Sequence, residues 1–174
     1  MNYKSIFNKA IANLKEDNSY REFLELYRIA GQFPYAYNFK TNRKIVIWCS
    51  NDYLGMGQNS NVINVLKQSA EKYGAGAGGT RNISGNSHPL VQLESEVAAL
   101  HKKDSALVFS SGYIANFTTV KTLAKVLDDL IIFSDEGNHA SIIEGIRSSG
   151  AKKEIFKHNN TQDLEQKLKS YPQD

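Results

Sequence analysis

The segment Ser110-Ser111-Gly112-Tyr113 follows the short apolar run Ala106–Phe109 and precedes a long periodic stretch, so small and hydroxyl-bearing residues stand where a strand passes into a helix. Helix N-termini carry backbone N–H groups without intrahelical partners, and in open parallel sheets ligands sit beyond the carboxyl ends of the strands. Ser111, Gly112 and Tyr113 are therefore expected to meet a phosphate. A second turn of the same kind, SDEGNHASIIEG at Ser134 to Gly145, follows the run Leu130–Phe133 and carries His139 just before a helix start at Ala140 or Ser141. A helix N-terminus disfavours the imidazolium form, so His139 is expected to present a neutral, planar ring suited to stacking on an aromatic cofactor.

Other chemistries find less support. Ser111 is not set in a Gly-x-Ser-x-Gly elbow, so an anion contact fits it better than a nucleophilic role. Asp135 and Glu136 are adjacent and project differently, which does not make an acid–base pair. His88, His101 and His158 stand at no metal-ligand spacing with His139, and no zinc site is expected. Cys49 is the single cysteine, which excludes an internal disulfide; its neighbours Val46-Ile47-Trp48 predict a buried, inert thiol. The run from Gly74 to Gly85 is dense in small residues, which permit positive φ angles and close backbone approach. It is either a flexible linker or a loop that meets a ligand or partner chain, and Thr80-Arg81-Asn82-Ile83 at its centre speaks against a linker. No Gly-Lys-Ser/Thr closes it and no strand precedes it, so it is neither a Walker loop nor a dinucleotide fingerprint.

The elements that must hold these residues follow from periodicity. Tyr3, Ile6, Phe7, Ala10, Ile11 and Leu14 predict an amphipathic first helix. A second helix is expected from about Ser19 to Ala30, stopped by Gly31 and Pro34. Arg21 would lie in its first turn, where the helix dipole does not favour a cation; it is either solvated or faces an anion. Tyr35–Phe39 and Lys44–Trp48 flank Thr41-Asn42 as a β-hairpin, and a polar turn, Ser50 to Gly55, follows. A helix capped at Asn59 or Ser60 runs towards Gly74, and another has Pro89 in its first turn. From Ala106 onward strands at 106, 130 and 154–156 alternate with helices at 112–126, 140–148 and 161–170, which predicts a parallel α/β sheet. Residues 1–57 are expected to form N-terminal helices and a hairpin, and 58–174 the first part of a larger domain.

A hydrophobic share of 41% and a charged share of 22% are those of a globular chain and exclude disorder. The net charge of +3 comes from Lys and Arg residues spread along the chain, which argues against a nucleic-acid partner. There is no apolar run of membrane-spanning or signal-peptide length and no Arg-rich transit character, so a cytoplasmic location is expected.

In combination, SNDYLG at Ser50 to Gly55, GAGGTRNISG at Gly76 to Gly85, LVFSSGYIAN at Leu107 to Asn116 and the His139 turn resemble the α-oxoamine synthases. That family comprises pyridoxal 5'-phosphate enzymes of fold type I that join an amino acid to an acyl-CoA thioester. The resemblance covers nearly the whole chain. It implies that Gly112 and Tyr113, with Ser111, bind the cofactor phosphate, that His139 stacks on the pyridine ring and that Tyr53 lies near the cofactor. It further implies that Asn51 lies near the amino-acid carboxylate and that Thr80, Asn82, Ser134 and Lys153 contact the acyl-CoA. Tyr20-Arg21 and the run Thr80 to Gly85 resemble the members that use glycine and succinyl-CoA in tetrapyrrole synthesis, where the arginine meets the succinyl carboxylate. Members making 8-amino-7-oxononanoate or 2-amino-3-oxobutyrate generally carry Ser at the place of Thr80 and differ at Asn82.

The sequence stops at Asp174, before the aspartate that pairs with the pyridine nitrogen, the lysine that holds the cofactor and an arginine for the glycine carboxylate in that family. The expectation is therefore an N-terminal portion of a homodimeric enzyme, inactive and poorly folded as an isolated chain. The alternative is a non-catalytic product with weak anion or cofactor affinity through Gly112 and His139.

Overall fold

The computed structural model describes residues 2–172, and the chain divides into two compact units, Met1–Gly76 and Ala77–Asp174. In the first unit, helix α1 (Tyr3–Glu16) starts at Asn2, whose Oδ1 accepts the Ser5 N–H at 3.2 Å, and carries Lys15 in its last turn. Its apolar stripe of Tyr3, Phe7, Ile11 and Leu14 is exposed.

The second predicted helix does not form. Residues 19–25 are irregular, and Leu26–Arg28 is a strand, β1, paired antiparallel with β2 (Tyr35–Asn38). Leu26, Tyr27 and Arg28 pair with Asn38, Tyr37 and Ala36, and that pairing overrides the local helix pattern. Gly31 and Pro34, expected as helix stops, belong instead to the β1–β2 turn. Gln58 holds that turn, its Oε1 accepting the N–H groups of Gly31 at 2.7 Å and Phe33 at 3.1 Å. The helix-dipole argument about Arg21 therefore does not apply.

Strand β3 (Arg43–Val46) completes the expected hairpin, in register from Tyr35↔Val46 to Asn38↔Arg43, with Asn42 at φ 51° in the turn. Ala36 is the buried apolar side chain of this sheet, and beyond β3 both Trp48 and Cys49 are exposed. The expectation of a buried thiol is thus corrected: among the described residues of this unit nothing covers Trp48 and Cys49 beyond β3. Helix α2 (Ser60–Tyr73) begins as expected, with Asn59 Oδ1 accepting from Asn61 N at 2.9 Å and Val62 N at 3.4 Å.

In the second unit, a π-helical turn (Arg81–Gly85) leads to α3 (His88–Leu100), which has Pro89 in its first turn. After an irregular stretch come α4 (Gly112–Val126), β4 (Ile131–Asp135), α5 (Ala140–Ser149), β5 (Lys152–Phe156) and α6 (Thr161–Leu168). Strands β4 and β5 are parallel, paired from Ile131↔Lys152 to Asp135↔Phe156. The α/β alternation is thus present, with one difference. Ala106–Phe109 is not a strand, because a strand needs a ladder partner and the Val108 N–H is given to Glu94 Oε1 at 2.7 Å.

Helices α4 and α5 lie close together because α5 turns its small face inward. Ser141, Gly145 and Ile146 are buried, and a Cβ on Gly145 would stand 3.2 Å from both Cα and O of Phe117. No larger residue permits this approach without moving the α4 backbone.

Candidate functional site

Two helix starts build the site. At α4, Ser111 is the N-cap, and its Oγ accepts the Ile114 N–H at 3.2 Å. The amides of Gly112 and Tyr113 have no protein acceptor among the described residues, and a Cβ on Gly112 would meet nothing within 4 Å. The Ser111 hydroxyl keeps its proton to give. Three donors and open space at a helix N-terminus suit a phosphate. Ser111, Gly112 and Tyr113 stand at the start of α4, where Ser111 also serves the helix itself.

At α5, His139 is the N-cap, its Nδ1 accepting the Ser141 N–H at 3.2 Å. The same Nδ1 lies 2.7 Å from Ser141 Oγ, which in turn receives the Asn116 amide at 3.0 Å. The Tyr113 and His139 rings meet edge to face, with centroids 6.3 Å apart and planes at 74°. The exposed imidazole and the α4 amides supply a planar face and an anion cradle, the two features that the residues would need to hold pyridoxal phosphate.

Strands β4 and β5 form the next part of the candidate site. Ser134 is buried, takes a hydrogen bond from Asn138 Nδ2 at 3.0 Å, and lines a cavity of about 180 Å³ with Lys153, Ile143, Ile146 and Ile155. Two residues assigned by resemblance to the acyl-CoA thus share one cavity. Asp135 and Glu136 do structural work here: Asp135 accepts from Asn159 N at 2.9 Å, His158 Nδ1 at 2.7 Å and Gly137 N at 2.7 Å, and Glu136 accepts from His158 N at 3.0 Å. The Asn159 amide, then His158, hold the Asp135 carboxyl below its ordinary range.

Thr80 and Asn82 stand on the π-helical turn, both exposed. Thr80 O accepts the N–H groups of Ile83, Ser84 and Gly85 at 3.0, 3.1 and 2.9 Å. Between them, Arg81 reaches Glu94 on α3 with both terminal nitrogens, at 2.5 and 2.8 Å, and donates to Asn86 Oδ1. The Arg81 guanidinium first, and the Val108 amide second, lower the Glu94 carboxyl from 4.5 to about 2. Because the folded carboxyl titrates below the unfolded one, its stabilisation is complete above pH 4.5 and is lost as pH falls from there to about 2. Glu94→Gln is accordingly expected to unfold at lower temperature than wild type at neutral pH, with the gap narrowing across that acid window. Tm curves of the two proteins that run parallel from pH 7 to pH 2 would reject this.

In the first unit, Asn51 and Tyr53 line an open hollow of about 490 Å³ with Trp48, Cys49 and Ser50. The turn is set by Ser50 Oγ, which accepts Asp52 N at 3.1 Å, and by Asp52 Oδ2, which accepts Gly57 N at 3.1 Å. Arg21 is exposed in the irregular segment before β1 and makes no ion pair among the described residues. Sequence reasoning gave no role to Asn116, Ser141 or Glu94. Ser141 had one available signal, a polar residue two positions past a helix cap on the face that also bears Gly145.

A family model described as aminotransferase class I and II matches residues 43–174. The chain is 52% identical over 170 residues to the mitochondrial 5-aminolevulinate synthase of Debaryomyces hansenii, covering 98% of this chain and 30% of that protein. It is 51% identical over 172 residues to the 5-aminolevulinate synthase of Bradyrhizobium diazoefficiens, covering 98% of this chain and 42% of that protein. Among solved structures, a serine palmitoyltransferase from S. paucimobilis superposes with a TM-score of 0.79 at 27% identity, over 97% of this chain and 42% of that one. The 8-amino-7-oxononanoate synthase of Francisella tularensis matches with a TM-score of 0.56 at 32% identity, over 71% of this chain and 33% of that one. The chain therefore spans less than half the length of each of these relatives.

Proposed function

The chain belongs to the aminotransferase class I and II family, and from that membership we propose that it is the N-terminal portion of a 5-aminolevulinate synthase, which condenses glycine with succinyl-CoA to 5-aminolevulinate, CoA and carbon dioxide. The observation that carries this reading is identity at about half of all positions to such synthases, along 98% of this chain. The cofactor is pyridoxal 5'-phosphate, which supplies an electron sink for charge developing on the amino-acid carbon. Gly112, Tyr113 and Ser111 bind its phosphate, His139 offers a ring face, and Tyr53 lies near it. Asn51 serves the glycine carboxylate, while Arg21, Thr80, Asn82, Ser134 and Lys153 serve succinyl-CoA. These side chains bind and orient; orientation of two substrates is itself a large part of a rate enhancement.

The same proposal takes residues 58–174 as the first part of the cofactor-binding domain, with the working site completed in a homodimer. Location in the cytoplasm also belongs to the proposal; among the described residues no helix is long and apolar enough to cross a membrane.

The test is glycine-dependent release of CoA from succinyl-CoA by the full-length protein. Release that instead requires a monocarboxylic or pimeloyl thioester would move the chain to another α-oxoamine synthase. Release by residues 1–174 alone would overturn the reading of this segment as one part of the catalytic unit.

A further inference from the structure

We infer that Asn116 and Ser141 are positioning residues that lock His139 into the tautomer protonated at Nε2. One group beside the ring has a hydrogen-bonding role that is not open to choice. The Ser141 backbone N–H can only donate, and it points at His139 Nδ1 at 3.2 Å. Nδ1 therefore carries no proton. Ser141 Oγ lies 2.7 Å from the same Nδ1, and two lone pairs do not meet at that distance, so the hydroxyl gives its single proton to the ring. Having spent it, Oγ can only accept from Asn116, whose Nδ2 stands at 3.0 Å. The amide orientation of Asn116 thus follows from the geometry around the ring.

Burial makes this chain of three bonds consequential. Ser141 is fully buried between α4 and α5, so no water competes for its hydroxyl, and reversing any one bond leaves two donors or two acceptors face to face. Two donors on Nδ1 also fix the ring plane. The Nε2–H remains without a partner among the described residues and is the one proton the ring can offer outward. That this proton and ring face serve a pyridoxal phosphate site rests on the function proposed above; the tautomer itself does not.

The test is 15N spectroscopy of the full-length protein labelled at histidine, with His139 assigned by its loss in H139Q. Wild type is expected to show an unprotonated Nδ1 and a protonated Nε2. In N116D the new carboxylate competes for the Ser141 hydroxyl proton, which leaves the Ser141 backbone N–H as the one donor on Nδ1, and the two ring 15N shifts should move towards each other. In S141A a single weaker donor remains on Nδ1, and the two ring 15N shifts should move towards each other. A wild-type ring protonated at Nδ1 overturns the inference, as do wild-type spectra from a folded N116D or S141A. Should N116D fail to fold, S141A decides alone. Failure of the synthase assignment would show as absent CoA release by wild type, a result independent of these spectra.

Discussion

Gly85→Ala is expected to open the turn that carries Thr80 and Asn82 and to lower the stability of the second unit by about 3 kcal/mol, the upper part of the range for forced overpacking. Gly85 is buried, and a Cβ there would collide with the carbonyl oxygen of Gly79, with Gly79 C at 2.8 Å and with Thr80 C at 3.0 Å. All three are backbone atoms, so no side-chain rotation relieves the clash. Opening the turn would release the three amides bound to Thr80 O and pull on Arg81, whose grip on Glu94 ties the turn to α3 and to Val108. Gly76→Ala is the matched control from the same glycine run, since its Cβ would meet nothing within 4 Å and its φ is not positive. Calorimetry should show a lower Tm for Gly85→Ala only, and amide exchange at Ile83, Ser84 and Gly85 should accelerate. Equal Tm and equal protection in the two variants would rule the argument out.

The contrast between these two glycines marks what could be seen in the sequence. Its composition announced a loop of close backbone approach, yet which glycine is indispensable depends on a contact between Gly79 and Gly85 that no local pattern encodes. Features set by neighbouring residues were legible: the cap at Asn59, the helix starts after Ser111 and His139, the Thr41-Asn42 hairpin, and the alternation of α4, β4, α5, β5 and α6. Features decided by a distant partner were not. Leu26–Arg28 looked helical until paired with Tyr35–Asn38, and Ala106–Phe109 looked like a strand although its Val108 amide belongs to Glu94. Burial of Cys49 was misjudged for the same reason, since an apolar neighbourhood in sequence is not a layer in space. The candidate site follows this rule: Ser111, Gly112, Tyr113 and His139 stand at helix starts, which are local features, whereas the contact of Ser141 with Asn116 needed the packing of α4 on α5.

The largest effect on activity is expected from Arg21→Leu in the full-length protein. Arg21 makes no ion pair among the described residues and is not committed to a helix. An uncommitted guanidinium presents a planar fork of donors that matches a carboxylate, the group that distinguishes a succinyl thioester from a monocarboxylic one. Truncating one partner of such a pair, once it is desolvated by bound substrate, costs about 3 kcal/mol, which is roughly two orders of magnitude in kcat/KM for succinyl-CoA. The loss should fall on that substrate and leave the apparent affinity for glycine nearly unchanged. Arg21→Lys keeps the charge without the fork and should lie between the two. Arg28→Leu removes the same charge from the exposed strand β1 and should match wild type, which separates a specific pair from a general loss of positive field. Selectivity supplies the sharper readout: the Leu variant should lose preference for succinyl-CoA over a monocarboxylic thioester of similar length, because a site that no longer pairs a charge no longer rejects its absence. An unchanged KM for succinyl-CoA in Arg21→Leu would remove Arg21 from the acyl site and leave it as a solvated charge.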